Sequence, residues 1–398
     1  MPNDVKLTDE NLNPIENFET LEKNEFSLNS TGENKQEEPL QLEISELSKQ
    51  AYSLLKANNI EQSINVFNKI LQLDSTNNYA LVGLGDAERK NNNFDKAIEF
   101  YKKCLEYHPA NNYALFGLAD CYKSTNQFYK AISIWEKYIK FDDKNITVLT
   151  RIADAYRKNK NFEKAETIYL KVLEFSPQNA YALIGLGHLN YDFKKYREAL
   201  SYWEEVLQFS GQAADIRVLT SVGNCYRKLK LFDKGVRYFE RALEQEPKNF
   251  YGLFGLADCY RGLNQQDKSV IYWQKILETD PANKVILTRV GDAYRSLVDF
   301  EKAKIYYQKA LDIDFDSYAM LGLAILCKLQ KKYDEAITTL SHLKDIKELS
   351  CRVYLELAQC YIEKKDKQKA IDILQEFQKK GIKNQTVSDL LLELTKNG

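Results

Sequence analysis

The chain has 398 residues, of which 56 are Lys or Arg and 57 are Asp or Glu, so its formal net charge is −1. This balance excludes the bulk positive charge typical of proteins that bind nucleic acid or anionic membranes. No apolar run reaches the roughly 18–20 residues that a membrane span requires, and no basic-then-apolar leader is visible at the N-terminus. We therefore expect a cytoplasmic chain with neither a nucleic-acid nor a membrane partner.

Glycine and proline are scarce, with 16 and 7 copies, whereas Tyr occurs 26 times. Because strands and their turns use Gly and Pro heavily, this scarcity favours a mostly helical chain. Three His and an odd number of Cys, with no Cys-x-x-Cys pair, argue against a zinc site or a disulfide framework. We expect no metal, no cofactor and a reducing compartment.

The N-terminal segment, residues 1–43, differs from the rest of the chain. Its first 42 residues carry ten acidic and three basic side chains, a net charge of −7 that leaves +6 for the remainder. Asn, Glu and Ser dominate, which predicts a disordered acidic tail. One short stretch with Ile15, Phe18 and Leu21 is more apolar. The tail is therefore either simply solvated or a segment that docks on the remainder and gates it.

From residue 44 onward the sequence repeats every 34 residues. Small residues recur at positions 8 and 20 and large, mostly aromatic residues at position 24, and the four prolines beyond residue 40 all occupy position 32. Apolar residues in each repeat follow helical spacing, which predicts a first and a second helix. The ten predicted repeats are 44–77, 78–111, 112–145, 146–179, 180–215, 216–249, 250–283, 284–316, 317–350 and 351–384. A capping helix is expected over 385–398, starting at Thr386 or Ser388.

This pattern of small, aromatic and proline positions resembles the tetratricopeptide repeat (TPR) family over about 340 of the 398 residues. The small residues let two antiparallel helices approach closely, and the large residue fills the space beside them. The resemblance implies an all-α fold, a right-handed α-solenoid of stacked antiparallel helix pairs whose first helices line a concave groove. It also implies a protein or peptide partner.

The repeats contain a second, longer period. Repeats 2, 3, 5, 7 and 9 have Tyr at position 2 and Gly at position 6, whereas repeats 4, 6 and 8 begin differently. The segment FGLADCY occurs at 116–122 and again at 254–260, a shift of 138 residues, which is four repeats plus a two-residue insertion near Gly211. Duplication of a block of repeats is the simplest origin.

Six positions of the first helices do not face the core of their own repeat: 2, 5, 6, 9, 12 and 13. They predict rows of Tyr, Phe, carboxylate and guanidinium groups in the groove, with glycine gaps beside the Tyr. The candidate binding residues are Tyr79, Asp86, Arg89, Tyr113, Phe116, Asp120, Arg151, Asp154, Arg157, Tyr181, His188, Arg227, Tyr251, Phe254, Asp258, Arg261, Arg289, Asp292, Arg295 and Tyr318.

Two interpretations of these rows stay open. Asp at position 9 and Arg at position 12 are three residues apart on one helix, so they can simply pair, at about 0.2–0.5 kcal/mol per pair. They can also bind the backbone and charged groups of a partner chain. The Tyr row either packs between neighbouring helices or forms binding hot spots, where Tyr and Arg are favoured. His188 has no partner at metal-ligand spacing.

No catalytic signature accompanies the repeats. The sequence has no His-Glu-x-x-His, no phosphate loop and no dinucleotide fingerprint, so we expect no enzyme. TPR proteins that clamp acidic chaperone tails carry Lys and Asn where Val82 and Asp86 stand here, which argues against that clamp. The leading hypothesis is a non-enzymatic scaffold or adaptor that binds a peptide or protein segment in the concave groove. The alternative is a self-assembling structural repeat protein.

Overall fold

The computed structural model describes residues 37–210, 214–346 and 350–396. Residues 1–36 of the predicted acidic tail lie outside the described residues. The chain divides into two compact parts between Phe193 and Lys194, called here the N-terminal half and the C-terminal half. All regular elements in the described ranges are helices, and within each half every helix packs against its neighbours in sequence. The prediction of an all-α fold of stacked helix pairs is confirmed in each half.

The N-terminal half contains nine helices in the part that the structure describes. They are α1 (Glu37–Lys56), α2 (Ile60–Leu73), α3 (Asn78–Lys90), α4 (Phe94–Tyr107), α5 (Asn112–Ser124), α6 (Phe128–Tyr138), α7 (Ile146–Lys158), α8 (Phe162–Phe175) and α9 (Ala180–Asp192). First helices also contact the first helix of a neighbouring pair, as α3 does with both α1 and α5. The odd-numbered helices therefore form one layer.

The described residues of the C-terminal half form twelve helices. They are α10 (Tyr196–Ser210), α11 (Ile216–Lys228), α12 (Phe232–Gln245), α13 (Phe250–Gly262), α14 (Gln266–Thr279), α15 (Lys284–Ser296), α16 (Phe300–Ile313), α17 (Ser317–Leu329), α18 (Tyr333–Ser341), α19 (Ser350–Glu363), α20 (Lys367–Lys379) and α21 (Gln385–Lys396). Here α11, α13, α15, α17 and α19 are the first helices, and α11 contacts α13 as α15 contacts α17.

Each first helix up to α19 is followed by a turn that contains one residue of positive φ, at 59° to 65°. After α3, for example, the N–H of Asn92 donates to the carbonyl of Arg89 and the N–H of Asn93 to that of Glu88, at 3.0 and 2.9 Å. This is the Schellman arrangement that closes a helix C-terminus. The ten residues are Asn58, Asn92, Asn126, Lys160, Lys194, Lys230, Asn264, Val298, Lys331 and Lys365. Because none is Gly, the chain builds ten left-handed turns without the glycines such turns normally require.

Asn and Asp residues cap the first helices at their N-termini. The Asn77 side chain accepts a hydrogen bond from the Ala80 N–H at 3.1 Å, and equivalent caps precede α5, α7, α9, α11, α13, α15 and α17. Such a cap contributes about 1 kcal/mol by satisfying a free helical N–H. The last helix follows the same rule, because Asn384 accepts from the Val387 N–H at 3.2 Å. The sequence-based choice of Thr386 or Ser388 for this cap was wrong.

The core of each half is built around the aromatic residue at position 24. These side chains are at most 2% exposed and lie between the two helices of their own pair and the next first helix: Phe67, Tyr101, Trp135, Tyr169, Phe239, Trp273 and Tyr307. Burial of an aromatic side chain removes roughly 150–250 Å² from water, so these residues dominate the stability of each stack. The last helix packs on this framework through Val387 in a cluster with Tyr354 and Phe377.

Candidate functional site

All twenty candidate residues lie on first helices. Those of the N-terminal half lie on α3, α5, α7 and α9, and those of the C-terminal half lie on α11, α13, α15 and α17. Several consecutive first helices contact each other, as α3 contacts α5, and side-chain ion pairs connect α5 to α7 and α13 to α15, so residues one repeat apart reach the same neighbourhood. The structure therefore decides which members of each row meet.

The residue type at position 6 of each first helix depends on the aromatic core residue at position 24 of the preceding repeat. A Cβ added to Gly83 would lie 2.2 Å from Cζ of Phe67, and one added to Gly117 would lie 2.3 Å from Cζ of Tyr101. The same close approach joins Gly185 to Tyr169, Gly255 to Phe239 and Gly322 to Tyr307. The glycines are thus not gaps beside the groove tyrosines, as the sequence suggested, because a core ring already fills the space.

Where the preceding aromatic residue is Trp, position 6 carries a side chain. Arg151 follows Trp135, Ser221 follows Trp203 and Arg289 follows Trp273. The guanidinium of Arg289 lies 5.5 Å from the Trp273 ring centroid. The alternation of Gly and Arg at position 6 therefore depends on which aromatic residue lies in the core. Among the position-6 residues that follow a Trp, only Arg151 and Arg289 are Arg.

In the N-terminal half, four residues form a closed group that we call the N-terminal cluster: Arg89, Phe116, Asp120 and Arg151. Arg151 Nη1 donates to Asp120 Oδ1 at 2.7 Å, and Arg89 Nη1 lies 3.7 Å from Asp120 Oδ2. The Arg151 guanidinium lies 4.7 Å from the Phe116 ring centroid, in cation–π contact. The side chains of Arg151 and Asp120 are only 7% and 9% exposed. This ion pair is therefore part of the interior.

The N-terminal cluster continues toward α3. Arg89 also pairs with Asp86 at 3.2 Å, and Asp86 accepts a hydrogen bond from the Tyr101 hydroxyl at 2.7 Å. Two guanidiniums thus meet two carboxylates, Asp86 and Asp120. Although burial disfavours the charged form of Arg89, the charges of Tyr101, Asp86 and Asp120 raise its pKa above the usual value.

In the C-terminal half, five residues form the C-terminal cluster: Arg227, Phe254, Asp258, Arg261 and Arg289. Asp258 accepts from Arg227 Nη1 and Arg261 Nη2, both at 2.7 Å, whereas Arg289 Nη1 lies 3.4 Å away. The Arg289 guanidinium stacks 5.2 Å from the Phe254 ring centroid. Arg261 and Arg289 are 48% and 33% exposed. One buried carboxylate therefore serves three guanidiniums, two of which reach solvent.

The electrostatics of the C-terminal cluster reflect this imbalance. Burial alone would raise the pKa of the Asp258 carboxyl, but Arg261, Arg227 and Arg289 hold that pKa below its usual value. Burial lowers the pKa of the Arg289 guanidinium, Asp258 opposes this effect, and Arg261 and Arg227 lower the pKa further. Because an Arg side chain stays charged in proteins, Arg289 remains a cation that shares the Asp258 carboxylate with two other guanidiniums.

The remaining Asp and Arg candidates form pairs within and between helices. Arg157 bonds Asp154 at 2.9 Å and Asp192 at 2.7 Å, and Lys123 lies 3.7 Å from Asp154. Burial would raise the pKa of Asp154, but Arg157 and Lys123 hold it below its usual value. Arg295 likewise pairs with Asp292 at 3.0 Å. The expected three-residue pairing on one helix is present in the described part of each half.

The Tyr row and His188 are placed unevenly. Tyr79 and Tyr113 are half-buried, and burial raises the pKa of Tyr113. Tyr181, Tyr251 and Tyr318 are exposed on α9, α13 and α17. His188 is half-buried on α9. Some members of the row thus pack and others are available to a ligand.

Three residues important to this surface were not singled out from the sequence. Tyr307 donates through its hydroxyl to Asp292 at 2.8 Å, as Tyr101 does to Asp86. Asn224 occupies the position of Asp86 in the C-terminal half and accepts from Arg227 Nε at 3.2 Å. The Trp273 ring is in cation–π contact with the guanidinium of Arg289. When the repeats are aligned with one another, the residue type at position 24 correlates with the residue types at positions 6 and 9, and this correlation was the signal for them in the sequence.

No group of three or more His, Cys, Asp or Glu side chains in the described ranges is placed to hold a metal ion. No helix among them is both long and apolar enough to cross a membrane. All seven cysteines are free thiols.

Comparison with known proteins agrees with the repeat architecture. Family models described as tetratricopeptide repeats match residues 48–105, 150–215, 216–249, 238–270, 286–317 and 352–380. A model described as anaphase-promoting complex, cyclosome, subunit 3 matches residues 90–172. The chain matches none of the curated proteins.

Two solved structures are similar to parts of this chain. YrrB, titled a TPR protein with an unusual peptide-binding site, is 22% identical over 47% of this chain and 95% of its own, with a TM-score of 0.42. MamA protein is 25% identical over 43% of this chain and 92% of its own, with a TM-score of 0.38.

Proposed function

Since this chain belongs to the tetratricopeptide repeat family, we propose that it is a protein-interaction scaffold whose first-helix surface binds a peptide or protein segment. One observation carries the proposal. In each half a single helical layer combines exposed Tyr rings with Arg side chains that carboxylates hold in place. Tyr and Arg are the residues most favoured at binding hot spots, and ordered donors lose less entropy on binding. We propose no catalytic role for the chain.

The exposed tyrosines provide the test. We would select peptides from a displayed random library on the full chain and measure their dissociation constants by fluorescence anisotropy. The triple variant Tyr181→Ala, Tyr251→Ala and Tyr318→Ala should weaken binding at least about tenfold, since a hot-spot truncation costs more than 1 kcal/mol.

A matched control lies on the second helices. Tyr129, Ile271 and Ile305 are also exposed, on α6, α14 and α16, so replacing all three with Ala removes similar apolar area from the other layer. This control variant should keep the affinity of the unchanged chain. Equal losses in the two variants would show that the first-helix surface is not the binding surface.

The self-assembly alternative rests on the terminal helices. Leu40 and Leu42 on α1 and Leu392 on α21 are exposed, although terminal repeats are normally polar on their outer side. Light scattering at micromolar concentrations distinguishes the two functions, because a monodisperse monomer would remove self-assembly.

The seven free thiols support a reducing compartment such as the cytoplasm.

A further inference from the structure

The two clusters occupy equivalent positions of the repeated block but differ in charge. In the N-terminal cluster, Arg89 and Arg151 are matched by Asp120 and by Asp86, which Arg89 also contacts. In the C-terminal cluster, Asn224 stands where Asp86 stood, and Arg261 stands where Lys123 stood. Arg227, Arg261 and Arg289 therefore share a single carboxylate, and the cluster has a surplus of two positive charges.

Arg261 shares the carboxylate partner of Arg289. Its Nε and Nη2 both donate to Asp258 Oδ1, at 2.9 and 2.7 Å, which is the atom that Arg289 approaches only to 3.4 Å. The corresponding residue, Lys123, pairs with Asp154 and not with Asp120. The side chain of Arg289 is 33% exposed, so part of its guanidinium can reach a ligand.

The N-terminal cluster shows how a carboxylate binds to an Arg in this setting. There, Arg151 stacks on Phe116 and donates to the Asp120 carboxylate at 2.7 Å. Arg289 stacks on Phe254 in the same way, but its contact with Asp258 is longer, at 3.4 Å, and Arg261 donates to the same oxygen. The Asp120–Arg151 pair is therefore an internal copy of the contact that a ligand carboxylate would make with Arg289.

An apolar ledge lies beside this position. The exposed residues Phe250 and Tyr251 pack edge to face with ring centroids 5.6 Å apart, and Phe250 lies 5.9 Å from Phe254. Phe254 in turn packs on Trp273 at 5.0 Å. Two exposed rings next to a partly exposed guanidinium offer a contact for an apolar side chain adjacent to an acidic one.

We propose that the C-terminal cluster is a carboxylate-binding subsite that takes an Asp or Glu side chain of an extended peptide, with an apolar neighbour on Phe250 and Tyr251. This proposal rests on the proposed function and specifies the chemistry of the partner. A carboxylate is assigned and not a phosphate because the equivalent stacked guanidinium of Arg151 binds a carboxylate, that of Asp120, in the N-terminal cluster.

The experiment uses the full chain and a peptide array in which one position beside an apolar residue is Glu, Gln, phosphoserine or Ser. The unchanged protein should retain Glu peptides over their Gln partners. Arg289→Ala should reduce that preference by about tenfold, as expected for loss of a hydrogen bond to a charged group. Because Asp258 keeps Arg227 and Arg261, this variant retains its internal ion pairs.

Asn224→Asp is the second variant, since it restores the charge found at Asp86 without touching the donors. It should also reduce the Glu-over-Gln preference, whereas Ser221→Ala, which removes no charge, should not. Phosphoserine peptides retained in place of Glu peptides would overturn the carboxylate assignment. Equal retention of Glu and Gln, with binding still sensitive to Tyr251→Ala, would reject the subsite and leave the first-helix surface. No binding of any peptide would reject both.

Discussion

The N-terminal and C-terminal clusters are built from residues 138 positions apart in the sequence, yet they solve the same packing problem with different charge balance. In both, an Arg at position 6 stacks on a Phe and faces an Asp of the preceding first helix. In the N-terminal half this pair is closed and buried. In the C-terminal half Arg261 donates to the same carboxylate, and the position-6 Arg is partly exposed. The comparison teaches that two exchanges at the edge of a repeated block, Asp86 to Asn224 and Lys123 to Arg261, accompany the change from an interior ion pair to a partly exposed cationic group.

Removing the position-6 arginine should have the largest effect, and a different one in each half. Arg151→Ala should cost about 3 kcal/mol, because it leaves the buried Asp120 carboxylate with only Arg89 at 3.7 Å. Arg289→Ala should cost about 1 kcal/mol or less, because that side chain is partly exposed and Asp258 keeps two partners. Amide hydrogen exchange in α5–α7 and in α13–α15 reports the two halves separately. Equal acceleration in both would contradict the comparison.

The glycines at position 6 should respond similarly in the two halves, since a buried aromatic ring lies at nearly the same distance from each, Tyr101 from Gly117 and Phe239 from Gly255. Gly117→Ala and Gly255→Ala place a methyl group 2.2–2.3 Å from a buried ring atom. Each should destabilise its half by about 1–3 kcal/mol through overpacking. Chemical denaturation measures the cost. Ser221→Ala is the control, because position 6 already carries a side chain there, and a comparable loss in that variant would disprove the link to the preceding aromatic residue.

The reverse exchange sharpens the comparison further. Asp86→Asn combined with Lys123→Arg gives the N-terminal cluster the composition of the C-terminal one. On the peptide array this double variant should increase the Glu-over-Gln preference by a few-fold, roughly the value of one added exposed ion pair. The amide that replaces the Asp86 carboxylate keeps an oxygen acceptor for the Tyr101 hydroxyl, so the fold should be retained. An unchanged preference would mean that position, and not charge balance, makes the C-terminal cluster different.

The smallest expected effect is on the pH dependence of stability. The folded-state pKa of Asp258 is lowered relative to an unfolded value of about 3.9. Its contribution is therefore fully present above that value and is lost as the pH falls through the lower, folded pKa. Asp258→Asn should make unfolding of the C-terminal half less steeply dependent on pH below about 4. An identical pH profile for the variant and the unchanged chain would refute this assignment.

Much of the fold followed from the periodicity of the sequence. Small residues at positions 8 and 20 and a large residue at 24 could be placed because helical spacing fixes which side chains share a face. The closing turns were not foreseen, because Asn58, Lys160 and Val298 have little in common beyond position 15. The caps at Asn77 and its equivalents were readable from residue type, but the last one, Asn384, was missed.

The candidate surface was predictable only as rows of residue types. Arg151 could bind a partner chain or pair with Asp120. Which of these it does depends on the distances between first helices, which the repeat spacing alone does not give. The position-6 glycines illustrate the same limit, because the sequence shows Gly beside Tyr on one helix while the contact that requires Gly comes from the second helix of the preceding repeat. Peptide binding on this surface stays a prediction.

The sequence by itself determined that this protein is a series of 34-residue helix pairs with Tyr, Asp and Arg in register on the first helices. Helical periodicity and residue size are local properties, so they can be read along the chain. Only the tertiary structure decided that Asp120 is closed between two arginines whereas Asp258 is surrounded by three. That difference arises from through-space charge balance among three helices, which no single repeat contains.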